Sequence, residues 1–206
     1  DSDELHNIYN IALLHDIGRF EQLKRFNSFE ADTMDHATYG VKVLFEEGMI
    51  RQFIEEDTWD DVIRTAIAKH SDYELTGITD ERTLLHARLI RDADKLDNCR
   101  VKLEDAMETL LDLSADEVGK YAISPKVRED AFAGKCICSK DRRTPMDYWV
   151  SYVAYFYDLN FRETLDIVAE EQYVKRIIGR VPYTNEQTKK TMEELERQLT
   201  EYVRRK

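Results

Sequence analysis

The sequence predicts an all-α fold, and two features carry that expectation. Apolar residues recur at helical spacing over nearly the whole chain. The breaks between periodic stretches fall at residues that stop or start helices: Gly18, Gly48, Ser124-Pro125 and Thr144-Pro145. The 206 residues contain only 7 Gly and 3 Pro, with no repeat, low-complexity tract or separating linker. One helical domain is therefore expected over residues 1–206, with a helical extension at 114–206 packing on a core at 1–113.

The elements follow in order. A first helix is predicted over residues 3–17, with Leu5, Ile8, Ala12 and His15 on one stripe and Gly18 just past its end. Residues 19–34, charged and rich in Phe, read as a loop. A second helix over 35–47 places His36, Gly40, Val43 and Leu44 on one side and stops at Gly48. Thr58-Trp59-Asp60-Asp61 resembles a capping box opening a third helix, whose stripe is Ile63, Ala66, Ile67 and His70. Thr79 or Asp80 caps a long fourth helix reaching Leu113. One of its lines is Leu85, Leu89, Leu96 and Leu103; a neighbouring line is Ala87, Ile90, Asp94, Asp97 and Val101.

In the second half, Ser124-Pro125 starts a short helix. Thr144-Pro145 starts another that is aromatic on most sides, the pattern of a buried helix, with a strand as the alternative. Residues 161–178 form one amphipathic helix. A last helix over 185–204 carries Met192, Leu195, Leu199 and Tyr202, a stripe that packs on its own domain or supports a homodimer.

Composition removes several classes. A net charge of -12 argues against a long nucleic-acid footprint. The longest uncharged runs, Leu5 to His15 and Tyr148 to Tyr157, are about half of what a bilayer span needs. Three cysteines, Cys99, Cys136 and Cys138, imply no disulfide framework and read as reduced, cytoplasmic thiols. The glycines are too scattered for a dinucleotide or phosphate loop, and HExxH and GxSxG are absent.

The chemistry lies in polar residues on lines that should be apolar. His15, His36, His70 and Asp94 each occupy the inward stripe of a different helix. A lone inward histidine is ordinarily a hydrogen-bonded core residue. An inward carboxylate must be paired, and Arg88 or Arg91 could serve Asp94. Three inward histidines together with an inward aspartate are better explained by one shared cation. His15 and Asp16 point about 100° apart on a regular helix, so they can reach one ion only near a helix end. A helix C-terminus, with its partial negative charge, favours a cation there.

Four segments carry a resemblance: Ala12-Leu13-Leu14-His15-Asp16-Ile17-Gly18-Arg19, Asp35-His36-Ala37-Thr38-Tyr39-Gly40, Ile67-Ala68-Lys69-His70-Ser71-Asp72 and Arg91-Asp92-Ala93-Asp94-Lys95-Leu96-Asp97-Asn98. Over roughly its first hundred residues the chain resembles the HD-domain superfamily of metal-dependent phosphohydrolases. The resemblance implies a helical bundle with one or two divalent ions (Mn, Fe, Ni, Co, Zn or Mg) between its helices. It carries metal ligation over to His15, Asp16 and Asp94. His36 and His70 resemble the further ligands of the two-metal subgroup that includes the HD-GYP cyclic-dinucleotide phosphodiesterases. The Gly-Tyr-Pro signature of that subgroup is missing after His70, so cyclic-dinucleotide cleavage is not implied.

The family's first ligand, a histidine on a helix well before the HD pair, has no counterpart here. His6 lies about 13 Å from His15 by helical rise, too far to share an ion. That ligand is expected on a segment preceding Asp1, leaving metal binding incomplete. His6 and His86 are read as surface or packing residues.

The implied reaction is hydrolysis of a small phosphoester, a nucleotide, by water activated on the metal. Asp16 and Arg19 are the catalytic candidates. Arg19, with Lys95, is also expected to bind substrate; the rival reading of Arg19 is a charge at a helix C-terminus. Asp97 holds a ligand histidine from behind, or pairs with Lys95 or Arg100. Lys24, Arg25, Phe26 and Phe29 read as a lid or a solvated loop. Two other functions fit the same residues: a di-iron oxygenase on this fold, and a binding module that senses a nucleotide without turnover.

Overall fold

In the computed structural model, which describes residues 2–29 and 33–205, every regular element is helical. The chain divides into two units, Asp1–Ala93 and Asp94–Lys206.

The first unit contains α1 (Ser2–Leu14), α2 (Gly18–Phe26), α3 (His36–Val41), α4 (Asp60–Lys69) and the beginning of α5 (Glu81–Glu104). The loop expected after Gly18 is a helix through Phe26, and residues 30–32 of that stretch lie outside the described residues. Gly18 is glycine because of crowding. A Cβ there would lie 2.0 Å from the His36 carbonyl oxygen, and one at Gly40 would lie 3.2 Å from Ile17 Cγ2. With no side chain at these positions, the start of α2 passes directly against α3 and brings His36 toward the His15–Asp16 turn.

Local caps place the rest. Asp35 opens α3, its Oδ1 accepting from the Thr38 amide at 3.0 Å and its Oδ2 from the Thr38 hydroxyl at 2.6 Å. The chain then widens into a π turn over Lys42–Glu46 and breaks at Gly48, whose φ is 79°. The capping box expected at Thr58 does not form. Trp59 occupies the cap without a side-chain bond, and Asp60 pairs with Arg51 instead. Behind it the predicted stripe is buried, with Ile63, Ala66 and Ile67 fully so. Asp80 starts α5 by accepting from the Thr83 amide at 2.8 Å. Ala87 and Ile90 join the core made by Ile11, Leu14, Leu44 and Ile63. Leu85, expected on an inward line, is exposed.

The second unit holds the remainder of α5, then α6 (Met107–Leu111), α7 (Ala115–Val118), α8 (Pro125–Phe132), α9 (Pro145–Ala154), α10 (Arg162–Glu170), α11 (Tyr173–Ile178) and α12 (Glu186–Arg205). Helix α5 ends at Glu104, short of Leu113, where the Arg180 guanidinium takes the carbonyls of Lys102 and Asp105. The single helix expected over 161–178 is two, because Gln172 adopts a left-handed φ of 53°. The aromatic stretch is helical, opened by a capping box between Thr144 and Asp147. Asp147 is fully buried and also accepts from the Ser124 amide at 2.8 Å and the Ser124 hydroxyl at 2.6 Å, which ties the starts of α8 and α9 together. Met192, Leu195 and Leu199 of α12 are buried against α8, α10 and α11. Among the described residues no helix is long and apolar enough to cross a membrane.

Candidate metal centre

The first unit brings three predicted histidines to one carboxylate. α1 ends at Leu14, so His15 and Asp16 sit in the tight turn before α2, where the backbone is free of helical spacing. His36 is the first residue of α3, and His70 is the C-cap of α4. Asp16 Oδ1 lies 3.2 Å from His36 Nε2 and 3.4 Å from His70 Nε2, while Oδ2 lies 3.6 Å from His15 Nε2. The His70 ring stands between the other two imidazoles, with centroids 4.9 Å from His15 and 5.0 Å from His36.

Two of the rings have their tautomers set by the main chain. His15 Nδ1 is 2.8 Å from the Ala12 carbonyl, and His70 Nδ1 is 2.7 Å from the Ile67 carbonyl. A carbonyl only accepts, so both Nδ1 atoms carry a proton and both Nε2 atoms are turned toward Asp16. Imidazoles bound from behind in this way, with the other nitrogen beside a carboxylate, are the arrangement metal-ligating histidines adopt. Donor atoms of His15, Asp16 and His70 all lie within 4.8 Å of one another. The set suits Mn, Fe, Co, Ni or Zn, which accept imidazole and carboxylate together. Both α1 and α4 also end here, and their C-terminal dipoles favour a cation. The residues present therefore fit a divalent ion.

Electrostatics agree with that fit. Burial would raise the Asp16 carboxyl, but the His36 and His70 imidazoles, with charge from His15 and Arg19, overcome burial and hold it far below the usual carboxylate range. Burial lowers His36 against the opposing pull of Asp16, so that ring stays neutral near pH 7. An anionic Asp16 beside a neutral His36 is a charge state that ligation can use.

His70 is held by a residue the sequence reading had offered only as a partner for Asp94. Arg91 is 2% exposed, and its NH1 donates to the carbonyls of Lys69, His70 and Asp72 at 3.0, 3.2 and 2.7 Å. It closes the open end of α4 and fixes the backbone that carries His70. A charged residue next to Ile90 on a buried line was the available signal. Gln22, fully buried, was also missed; its Nε2 donates to Thr33 Oγ1 and its Oε1 accepts from Arg19 NH1, both at 2.9 Å.

Arg19 lies in the first turn of α2, so the reading that set it against a helix C-terminus is wrong. Its NH1 also donates to the Phe29 carbonyl at 3.1 Å, and its Nε lies 3.4 Å from Asp16 Oδ1. Lys95 pairs with Asp158 at 2.9 Å. Asp97 does not hold a histidine from behind; both its oxygens go to Arg100, at 3.0 and 3.2 Å, on an exposed face of α5. Asp94 opens the second unit, where its Oδ1 accepts from Asn98. His6 is exposed, and His86 is buried beside Trp59 and Glu4.

No curated protein and no solved structure matches the chain. The model of one family, the HD domain, matches residues 2–99, a stretch that contains all four sequence segments. HD domains are in general metal-dependent hydrolases, in keeping with a turn that sets His15 and Asp16 beside two further imidazoles. Residues 2–99, just under half of the chain, are similar to the HD domain.

Proposed function

We propose that the chain hydrolyses a small phosphoester, a nucleotide monoester or diester, with one or two divalent ions held by His15, Asp16, His36 and His70, and with Asp94 added as a ligand on the strength of its sequence motif. The observation that carries this reading is the convergence of the His15, Asp16 and His70 donor atoms within 4.8 Å, inside the matched domain. A divalent ion bound there would polarise a phosphoryl oxygen and render a water acidic enough to deprotonate near neutral pH.

The chain's own residues do the rest. Asp16 stays ionised through the working pH range and supplies the negative charge that retains a cation. Arg19 is planted by Gln22 and the Phe29 carbonyl with its guanidinium beside Asp16, where a phosphate oxygen would accept a charge-assisted hydrogen bond. Cation and guanidinium together offset the repulsion a chain of net charge -12 presents to an anionic substrate. Three free cysteines suit the reducing cytoplasm.

The test combines plasma mass spectrometry of bound metal with a phosphatase and phosphodiesterase panel. Phosphate or alcohol release that disappears in both His15→Ala and Asp16→Ala is the expected result. Oxygen uptake with bound iron and no phosphate release would make the chain an oxygenase. Metal-free protein that binds a nucleotide unchanged would make it a sensor.

A further inference from the structure

Helix α2 ends at Asn27, whose left-handed φ of 47° and amide bond to the Leu23 carbonyl turn the chain back. Two residues later Phe29 lies against Arg19, which stands in the first turn of the same helix, and both belong to the first unit. The Phe29 carbonyl accepts from Arg19 NH1 at 3.1 Å, and Arg19 Cζ sits 5.6 Å from the centre of the Phe29 ring. Phe29 is thus held through its main chain and on one side of its ring, yet it is 58% exposed.

The guanidinium is divided among several partners. NH1 serves Gln22 and the Phe29 carbonyl, and Nε faces Asp16 Oδ1 at 3.4 Å. Among the described residues NH2 has no hydrogen-bond partner, so it is the part of Arg19 left for a phosphate oxygen. The same contacts put the Phe29 ring centre within about 10 Å of Asp16 Oδ1. A lone exposed phenylalanine is ordinary on a protein surface. One fastened to the cation beside the candidate metal centre is not. The ring offers a π face within one nucleotide's reach of a phosphate bound at Arg19, and every nucleobase has a face to lay on it.

We propose that Phe29 is the base platform of the substrate site: the phosphate of a mononucleotide takes Arg19 NH2, and its base stacks on the open face of Phe29. This rests on the phosphoester reading made above and narrows it to nucleotides, because a sugar phosphate has nothing to place on an aromatic ring. The exposure then has a reason, since a surface covered only by substrate stands in solvent without it.

The test is titration calorimetry on the full chain in Mn²⁺, with adenosine 5′-monophosphate and ribose 5-phosphate as paired probes and phosphate release followed in the same samples. The probes share ribose and phosphate, and only the first carries a base. The parent should bind the nucleotide more tightly. Phe29→Ala and Phe29→Leu should each weaken nucleotide binding about tenfold to a hundredfold, and shift ribose 5-phosphate by less than about threefold. Phe29→Trp keeps a π face and should retain most of the parental affinity. Equal losses for the two probes would mean that Phe29 acts only by holding Arg19, which overturns the platform. Parental nucleotide affinity in Phe29→Ala overturns it as well. Equal affinity of the parent for both probes overturns it and leaves the phosphoester reading standing. A parent that binds neither probe and releases no phosphate overturns that reading itself.

Discussion

His36 Nε2 lies 3.0 Å from His70 Nε2, and both nitrogens are in contact with Asp16 Oδ1. Because His70 Nδ1 carries a proton to the Ile67 carbonyl, its Nε2 is the nitrogen turned toward His36 and Asp16. A divalent ion held by these side chains would supply positive charge at this contact. Metal should therefore stabilise the fold through the native site. At a concentration a hundred times its Kd, Mn²⁺ should add about 2.7 kcal/mol, seen as a raised Tm that EDTA reverses. His70→Ala should melt at the same temperature with and without Mn²⁺. An equal rise in that variant would place the ion elsewhere.

Gly18→Ala should be the most damaging glycine substitution in the first unit. Its new Cβ would fall 2.0 Å from the His36 carbonyl oxygen, an atom of the backbone that cannot swing aside. The start of α2 and α3 must separate, at about 3 kcal/mol or more. Gly48→Ala meets nothing within 4 Å and pays only for its left-handed φ of 79°, about 1–2 kcal/mol. Urea midpoints compare the two directly. Gly18→Ala should also lose the Mn²⁺ response, since it displaces His36, and Gly48→Ala should keep it.

That contrast shows what the sequence could express. His15, Asp16, His36 and His70 were legible because each breaks an apolar stripe, and the structure gathers those four around one point. Gly18 looked like a helix stop because a glycine needed for close approach is indistinguishable, in one sequence, from a glycine needed for a turn. The reason for it lies at His36, far along the chain. Arg91 and Arg180 were opaque in the same way: each closes a helix end with a guanidinium from a distant segment. Gln172, a polar residue in a left-handed conformation, gave no local sign that it would split α10 from α11.

Arg91→Leu should destabilise the first unit by about 3 kcal/mol, because it strands three carbonyls that now share one guanidinium nitrogen. Arg91→Lys restores a charge but not the planar reach of the fork, and should recover only part of that loss. Hydrogen exchange distinguishes this from a general weakening. Amides at the end of α4, around Lys69 and His70, should exchange faster in Arg91→Lys than those in the middle of α5. Uniform acceleration over both helices would mean that Arg91 has no particular hold on His70.

Lys102 gives a pH dependence whose sign is fixed. Burial, opposed by attraction to Cys99 and Asp94, lowers its pKa from 10.5 to about 8. The folded chain therefore releases this proton more readily than the unfolded chain does. Below about pH 8 both states are charged and the full penalty of about 3 kcal/mol is present. Between about 8 and 10.5 the unfolded state binds more protons, so stability from this group rises with pH. Cys99, pushed up to about 11 by burial, and Tyr155, also raised by burial, act in the opposite direction. Both groups remain in Lys102→Met, so the comparison of the two proteins isolates the lysine. Lys102→Met should be the more stable protein at pH 7, and its advantage should shrink as pH rises through 8 to 10. An advantage that stays constant across that range would show that the ammonium is not desolvated by the tyrosines around it.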